Sequence, residues 1–398
     1  MSRLEKVLLL ISLLTYTILF IFSYAYVDLN LTLSQNPVIL KFVILMQQLG
    51  YYNRTTAVLT YLAQIIFTFS FFVLNLWLFY RSKIGLKYLK ISTVANTLVL
   101  IFAYPFLSYD LFNYMFWAKI IINYHANPYT HRPLDFPGDE WLRFMRWVHS
   151  YYPYGPLWLF YSLIPATLGF GKFLLSLLTF KVFISIFHLI NSYLIYKILG
   201  RINSKYQLTG TAFYSLNPTL LIEGVVNGHN DVALASFMLG SIYFLIYNKK
   251  VLSALTLIAG VLVKYIPVLV AGWLFRESVS KKKNIERYIK WSLATMIVFT
   301  FFYSSIKISA PFIPLGSTQV QFQPWYLFWT VPLVVLIPRI TLLMLAAAVC
   351  FGASLRYLPY LYYGDWSHPG TTIFMQSIVI LPSIFTAIAL LFKKYFKV

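Results

Sequence analysis

The sequence predicts an all-α, polytopic membrane protein, and two observations carry that expectation. Hydrophobic residues make up 60% of the 398 and charged residues only 11%, against about 25% charged in an ordinary soluble domain. The apolar residues also fall in runs near the length that crosses ~30 Å of hydrocarbon. Within lipid every backbone polar group must be satisfied inside a helix or a closed barrel. Barrel strands alternate in polarity and give a weaker hydropathy signal than these continuous runs. Disorder, a coiled coil and a soluble enzyme are excluded on composition.

The first run, 7–26, follows Arg3 and Lys6. It is long for a signal-peptide core and is followed by no small-x-small cleavage site, so it reads as a retained first helix. Further runs cover about 57–80, 91–107, 155–170, 173–199, 208–222, 231–247, 251–275, 288–306, 324–338, 339–358 and 371–392. The expectation is therefore about 12 transmembrane helices in a single integral membrane domain, 1–398. A large extracytoplasmic loop, 108–154, follows the third span and carries amphipathic pieces near 111–122 and 141–149 suited to the interface. Pro165, Pro218, Pro267 and Pro332 mark expected kinks or breaks.

Lys and Arg number 32 against 11 Asp and Glu, a formal net charge of +21. Flanking of membrane helices absorbs much of this excess, and anionic headgroups are the natural partners of the rest; nucleic acid is not an expected partner. The clusters Arg81/Lys83/Lys87/Lys90, Arg276/Lys281/Lys282/Lys283/Arg287/Lys290 and Lys393/Lys394/Lys397 point to the cytoplasm. Both termini then lie there too, in a multi-pass protein of the cytoplasmic membrane. Lys197, Arg201 and Lys205 fit this pattern poorly, so one span between 155 and 275 is expected to be broken or re-entrant, and the side on which 223–231 lies stays open. The single cysteine, Cys350, lies in an apolar run and reads as a small core residue.

With so few acids, each one is informative. Glu5, Glu277 and Glu286 sit in basic clusters, and Asp135, Asp139 and Glu140 sit in a Pro/Gly-containing loop, where solvation explains them. Asp110, Glu223 and Asp231 abut membrane spans, where an ionisable group costs ~2.5–3.5 kcal/mol and is usually functional or paired. Asp110, Asn113 and Tyr114 fall on one helical face at i, i+3 and i+4. A carboxylate there can take a proton from a hydroxyl; the alternative is an N-cap for the following helix.

The loop continues with Asn127-Pro128-Tyr129, then Arg132, Arg143 and Arg146, then Tyr154-Gly155-Pro156-Leu157-Trp158. The aromatics suit either an interfacial belt or a platform for sugar rings. The arginines suit either a bidentate phosphate clamp or headgroups. A second cluster holds Glu223 and Asn227-Gly228-His229-Asn230-Asp231, where a functional loop competes with a simple capped turn. Lys264 interrupts an apolar run ahead of Pro267 and offers a positive charge to a phosphate; the alternative is a side chain snorkelling to the interface. Gln323, Trp325 and Tyr326 open a late span and read as a cavity rim, and His368 is a weaker candidate. No P-loop, dinucleotide fingerprint, HExxH, serine elbow or Asp-x-Asp pair occurs.

Taken in order, Asp110 after an early span, Asn127-Pro-Tyr, Tyr154-Gly-Pro-Leu-Trp, Asn227-Gly-His-Asn-Asp, Val263-Lys-Tyr-Ile-Pro and Gln323-Pro-Trp-Tyr resemble the polyprenol-phosphate-mannose-dependent mannosyltransferases of the GT-C fold, especially their bacterial and archaeal alpha-mannosyltransferase branch. The resemblance covers about residues 100–330. It implies a membrane enzyme with an extracytoplasmic site, a lipid-linked sugar donor, no metal and no cofactor, and a catalytic acid that maps to Asp110. Many members have a second acid beside the first; here Leu111 follows Asp110.

The expected function is transfer of one hexose, most readily mannose, from a polyprenyl-phosphate donor to an acceptor hydroxyl of a glycolipid or glycan. Asp110 is the expected general base in an inverting displacement. Lys264, His229, Arg132, Arg143 and Arg146 are the candidates for the donor phosphate. Asn113, Tyr114, Asn127, Tyr129, Tyr154, Glu223, Asn230, Asp231, Gln323, Trp325 and Tyr326 are the candidates for sugar and acceptor. Two other classes remain open at this point, a lipid-linked oligosaccharide ligase or polymerase and a non-enzymatic lipid or solute transporter.

Overall fold

A computed structural model describes residues 1–28, 36–280, 284–302, 322–337, 339–366 and 369–396. The described residues form helices and contain no strand. Four helical segments are long and apolar enough to cross a membrane: Arg3–Tyr26, Arg54–Tyr80, Phe173–Ile202 and Ile340–Tyr363. Pro218–Val226 and Asp231–Ile246 meet the same test only as a pair bent by 114°, the form of a broken span or a re-entrant loop. Pro156–Leu168, Lys250–Val263 and Ser377–Phe392 are apolar but shorter. His368 and Gln321 lie outside the described residues.

The chain divides into two compact units. The first comprises Met1–Phe106, Leu199–Ile222 and Val334–Val398. It holds α1 (Arg3–Ser23), α2 (Pro37–Gln47), α3 (Arg54–Tyr80) and α4 (Leu86–Ile101) from the N-terminal part. The second comprises Leu107–Ile198 and Glu223–Leu333. It holds α5 (Asp110–Tyr124), α6 (Pro156–Leu168) and most of α7 (Phe173–Ile202). The chain then gives α8 (Gln207–Ser215) and α9 (Pro218–Leu221) to the first unit and α10 (Asp231–Ile246), α11 (Lys250–Val263), α12 (Ala271–Val279) and α13 (Ile285–Phe302) to the second. The helix α14 (Leu327–Val334) ends the second unit, and α15 (Ile340–Leu355), α16 (Leu358–Tyr363) and α17 (Pro369–Phe396) complete the first.

In the first unit α1 packs on α4, α3 on α8 and α16, and α15 on α17. Hydrogen bonds between helices join these contacts, as expected where lipid supplies no hydrophobic drive. Ser12 donates to Asn96 at 3.0 Å, Tyr88 to Asn75 at 2.6 Å and Tyr61 to the Ser354 carbonyl at 2.9 Å. Glu5 closes a capping box with Ser2 and also accepts from the Gly85 N–H at 2.9 Å, so it is buried rather than solvated. Cys350 is fully buried.

Several expected spans are shorter than the apolar runs that suggested them, and prolines account for most of the breaks. The run 208–222 is cut between α8 and α9, where Asn217 caps a helix that begins with Pro218. The run 251–275 is cut at Lys264, whose extended backbone ends α11 ahead of a 3-10 turn containing Pro267. The run 339–358 is not shortened: α15 and α16 together form the span Ile340–Tyr363, with a turn ahead of Pro359. The amphipathic piece 111–122 was expected in the interface; as α5 it is instead buried from Leu111 to Ala118. Helix α2, which the run-based reading passes over, starts at an Asn36 cap with Pro37 in its first turn.

In the second unit α10 packs on α11, α5 on α6 and α6 on α11. The approach of α6 to α11 explains the Gly155-Pro156 start. The Gly155 N–H donates to the Val263 carbonyl at 3.1 Å, and a Cβ on Gly155 would lie 2.1 Å from the Leu262 carbonyl oxygen. Gly155→Ala is therefore expected to destabilise the protein by about 1–3 kcal/mol through overpacking. Thermal melting in nanodiscs checks this; an unchanged midpoint would contradict the close approach.

Candidate active site

All the groups described here belong to the second unit. Asp110 opens α5, with Tyr109 in the cap position, and its carboxylate does not cap the helix. Its Oδ1 accepts from the Trp147 indole N–H at 3.1 Å, and its Oδ2 lies 3.5 Å from His229 Nδ1. The other ring nitrogen of His229 lies 3.3 Å from Glu223 Oε2, which also accepts from Asn227 at 3.0 Å. Asn227 in turn accepts from the Leu107 N–H at 3.4 Å. The result is a carboxylate–imidazole–carboxylate row, Asp110–His229–Glu223. A neutral imidazole has one N–H and serves one acceptor; with a carboxylate at each nitrogen, only the imidazolium serves both. The indole of Trp325 stacks on the His229 ring at 3.9 Å, a face that suits a cationic ring.

The break in the span builds this row. Glu223 lies in a π-helical turn, Ile222–Val226, and the His229 N–H returns to the Glu223 carbonyl at 3.1 Å. Gly228 takes φ +73° between them, a conformation that glycine adopts without steric cost. Glu223, His229, Asn230 and Asp231 are all at most 1% exposed, whereas Asp110 keeps 8%. Burial pushes the Asp110 carboxyl up, but the His229 contact, the Lys264 charge and the Trp147 N–H outweigh it. The carboxyl therefore sits below its ordinary value of 3.8 and is ionised at neutral pH.

Asp231 stands at the start of α10 and is consumed by partners other than the helix. Lys264 donates to both its oxygens at 2.9 Å, and the Trp329 indole N–H donates to Oδ1 at 2.6 Å. The Lys264 ammonium lies 5.5 Å from the Tyr154 and Trp329 ring centres and 5.6 Å from that of Tyr326. It is thus ion-paired and ringed by aromatic faces. Tyr114 meets Tyr154 and Trp158 edge to face, both at 5.5 Å. The amide atoms of Asn113 and Asn230 are buried without a hydrogen-bond partner among the described residues, as expected of groups that await a ligand or water.

The remaining candidates stand apart from this cluster. Arg132 pairs with Asp135 at 3.2 Å in the loop, and Asn127 forms the turn to Tyr129. Tyr129 donates to the Tyr154 carbonyl at 3.0 Å. Arg143 is exposed, and Arg146 lies over the Tyr109 ring at 4.8 Å, one residue before Asp110. The Gln323 carbonyl accepts from the Tyr326 N–H. Asp139, expected to be solvated, is buried: it pairs with Lys119 at 2.5 Å, accepts from Tyr124 at 2.6 Å and from the Trp141 N–H at 2.8 Å. Within this unit, Asp139 ties the loop segment that leads to Trp147 back to α5. Among the described residues no three His, Cys, Asp or Glu side chains are grouped so as to hold a metal ion.

Trp147 and Trp329 escape a reading of the sequence, because an indole N–H aimed at a carboxylate looks like any other interfacial tryptophan. Trp147→Phe removes a hydrogen bond that favours the ionised form of Asp110, so its carboxyl should rise. The acid limb of kcat/KM should move up by about one pH unit. Superimposable pH profiles for wild type and variant would show that the indole does not bear on Asp110.

The apolar helices of membrane length are those of a membrane protein, and comparison with known families gives its class, glycosyltransferase. The chain matches the family model described as alpha-(1->6)-mannopyranosyltransferase, N-terminal domain, over residues 16–280, and belongs to that family of GT-C mannosyltransferases. The matched stretch contains Asp110, Glu223, His229, Asp231 and Lys264; Trp325, Tyr326 and Trp329 lie beyond it. No curated protein and no solved structure matches the chain.

Proposed function

We propose that the protein transfers a single mannose from a polyprenyl-phosphate donor to an acceptor hydroxyl on the extracytoplasmic face of the cell membrane. One observation carries the reading: the Asp110 carboxyl group is held by Trp147 and His229 and retains some exposure beside the buried Glu223 and Asp231. Asp110 takes the acceptor proton, the acceptor oxygen bonds to the anomeric carbon, and the bond from that carbon to the phosphate oxygen breaks. Phosphate leaves without a proton donor, so no metal or cofactor is required. A single displacement inverts the anomeric centre, so the alpha linkage in the family's name requires a β-linked donor. Asn113, Asn230, Tyr114 and Tyr154 face sugar and acceptor. Lys264 engages Asp231 and Arg132 engages Asp135, so the donor phosphate falls to Arg143 and Arg146 of the loop. Both termini lie in the cytoplasm, the loop 108–154 lies outside, and the chain crosses the membrane about twelve times.

The test uses purified protein in nanodiscs with radiolabelled polyprenyl-phosphate-mannose and a membrane lipid extract, with and without EDTA. Label should move to a new alpha-linked product at the same rate in both. Transfer abolished by EDTA would overturn the metal-independent route. Transfer from polyprenyl-phosphate-glucose but not from the mannose donor would overturn the sugar.

A further inference from the structure

Lys181 lies on α7, a helix of membrane length, and is 1% exposed. No carboxylate pairs with it among the described residues. Its Nζ donates to the Val226 carbonyl at 2.5 Å. A lysine within a membrane helix is expensive and needs a polar partner. Val226 supplies one: it is the last residue of the π-helical turn, where carbonyls lose their helical donors and the helix end attracts positive charge.

The same carbonyl sits midway in the chain between Glu223 and His229. Those two residues close the turn through the His229 N–H, and their side chains meet at 3.3 Å. About three turns further along α7, Asn191 donates to the Val232 carbonyl at 2.8 Å, on the far side of the break. Helix α7 therefore grips the broken span on both sides of the segment that presents His229 to Asp110.

We infer that Lys181 is a positioning residue: its buried Nζ donor fixes the Val226 carbonyl and thereby holds the His229–Glu223 contact in line with Asp110. It touches no substrate. The part of this inference that concerns rate rests on the proposed mannose transfer; the part that concerns placement does not.

The test compares full-length wild type, Lys181→Met and Lys181→Arg in nanodiscs. The sequence contains one Val-Asn pair, Val226-Asn227, so carbonyl-labelled valine with nitrogen-labelled asparagine isolates the Val226 carbonyl resonance. That resonance should move in Lys181→Met and return toward wild type in Lys181→Arg. With radiolabelled polyprenyl-phosphate-mannose and a membrane lipid extract, kcat of Lys181→Met should fall about 10- to 100-fold, the scale of a small misplacement of catalytic groups. Donor KM should stay within about twofold, and Lys181→Arg should recover most of the rate.

An unmoved resonance in folded Lys181→Met would overturn the contact. A moved resonance with unchanged kcat would overturn the positioning role, and a raised donor KM at constant kcat would make Lys181 a substrate contact instead. If Lys181→Met does not fold, Lys181→Gln removes the charge and draws the donor back by one bond. The same two readings should change in the same directions, and a folded Lys181→Gln with neither changed would overturn the need for a donor at Nζ. A wild type that transfers no mannose would sink the proposed function, while the resonance would still decide the placement.

Discussion

Asp110→Asn should reduce kcat for mannose transfer by about 10²–10⁴-fold, the contribution of a positioned general base. The amide keeps the shape and an acceptor for the Trp147 N–H at Oδ1, but it cannot accept the proton of an attacking hydroxyl. Donor KM should change little, because the lost interaction is made as the proton moves. In the wild type the carboxyl sits below 3.8, and a base with a lowered value stays ionised until the pH falls through it. The acid limb of kcat/KM should therefore lie below the ordinary carboxylate range. Purified, monodisperse Asp110→Asn that retains near-normal transfer would remove Asp110 from the role. Glu223→Gln is the informative companion. Glu223 meets the far nitrogen of His229, so its loss should act through His229 and cost less rate than the loss of Asp110.

The second large effect is on stability. Lys264→Met leaves the Asp231 carboxylate at 0% exposure with the Trp329 N–H but no countercharge. Breaking one side of a buried pair in this way costs about 3–5 kcal/mol, because the remaining charge is stranded. The double variant Lys264→Met/Asp231→Asn removes the stranded charge and should recover most of that loss. Thermal melting of the single and double variants decides between the two descriptions. If the double variant melts no higher than Lys264→Met, the aromatic contacts of Lys264 and not its charge hold the structure.

Much of the site is legible in the sequence because membrane proteins ration charge. Asp110, Glu223, Asp231 and Lys264 are conspicuous in apolar surroundings, and the structure joins Asp110 to Glu223 through His229 and Asp231 to Lys264. Lys181 carries the same signal, a lone cation in the run 173–199, but its partner is a backbone carbonyl and leaves no mark in the sequence. Trp147 and Trp329 are hidden for a different reason: aromatic residues make up 19% of the chain, so no tryptophan stands out. Arginines in a polar loop are ambiguous, and Arg132 finds Asp135 three residues away.

The helical class follows directly from the apolar runs, but their lengths do not reveal where the helices stop. Asn217-Pro218 and Pro267 interrupt runs that composition treats as continuous. The second acid expected beside Asp110 is absent from the adjacent position. A carboxylate more than a hundred residues away reaches the same neighbourhood through an imidazole, a relation that no local spacing encodes.

The charges gathered around His229 also bear on turnover. Asp110, Glu223 and Asp231 gather around His229 and Lys264, whereas the positive charge proposed for the phosphate lies on the loop arginines. On the proposed reaction the donor is a phosphodiester with a single negative charge. The departing lipid phosphate is a monoester carrying about −1.5 to −2 at pH 7. The Asp110 carboxylate therefore repels the spent carrier more strongly than the loaded one. A carboxylate held ready as a base thus also works against the pull of the arginines on the leaving phosphate.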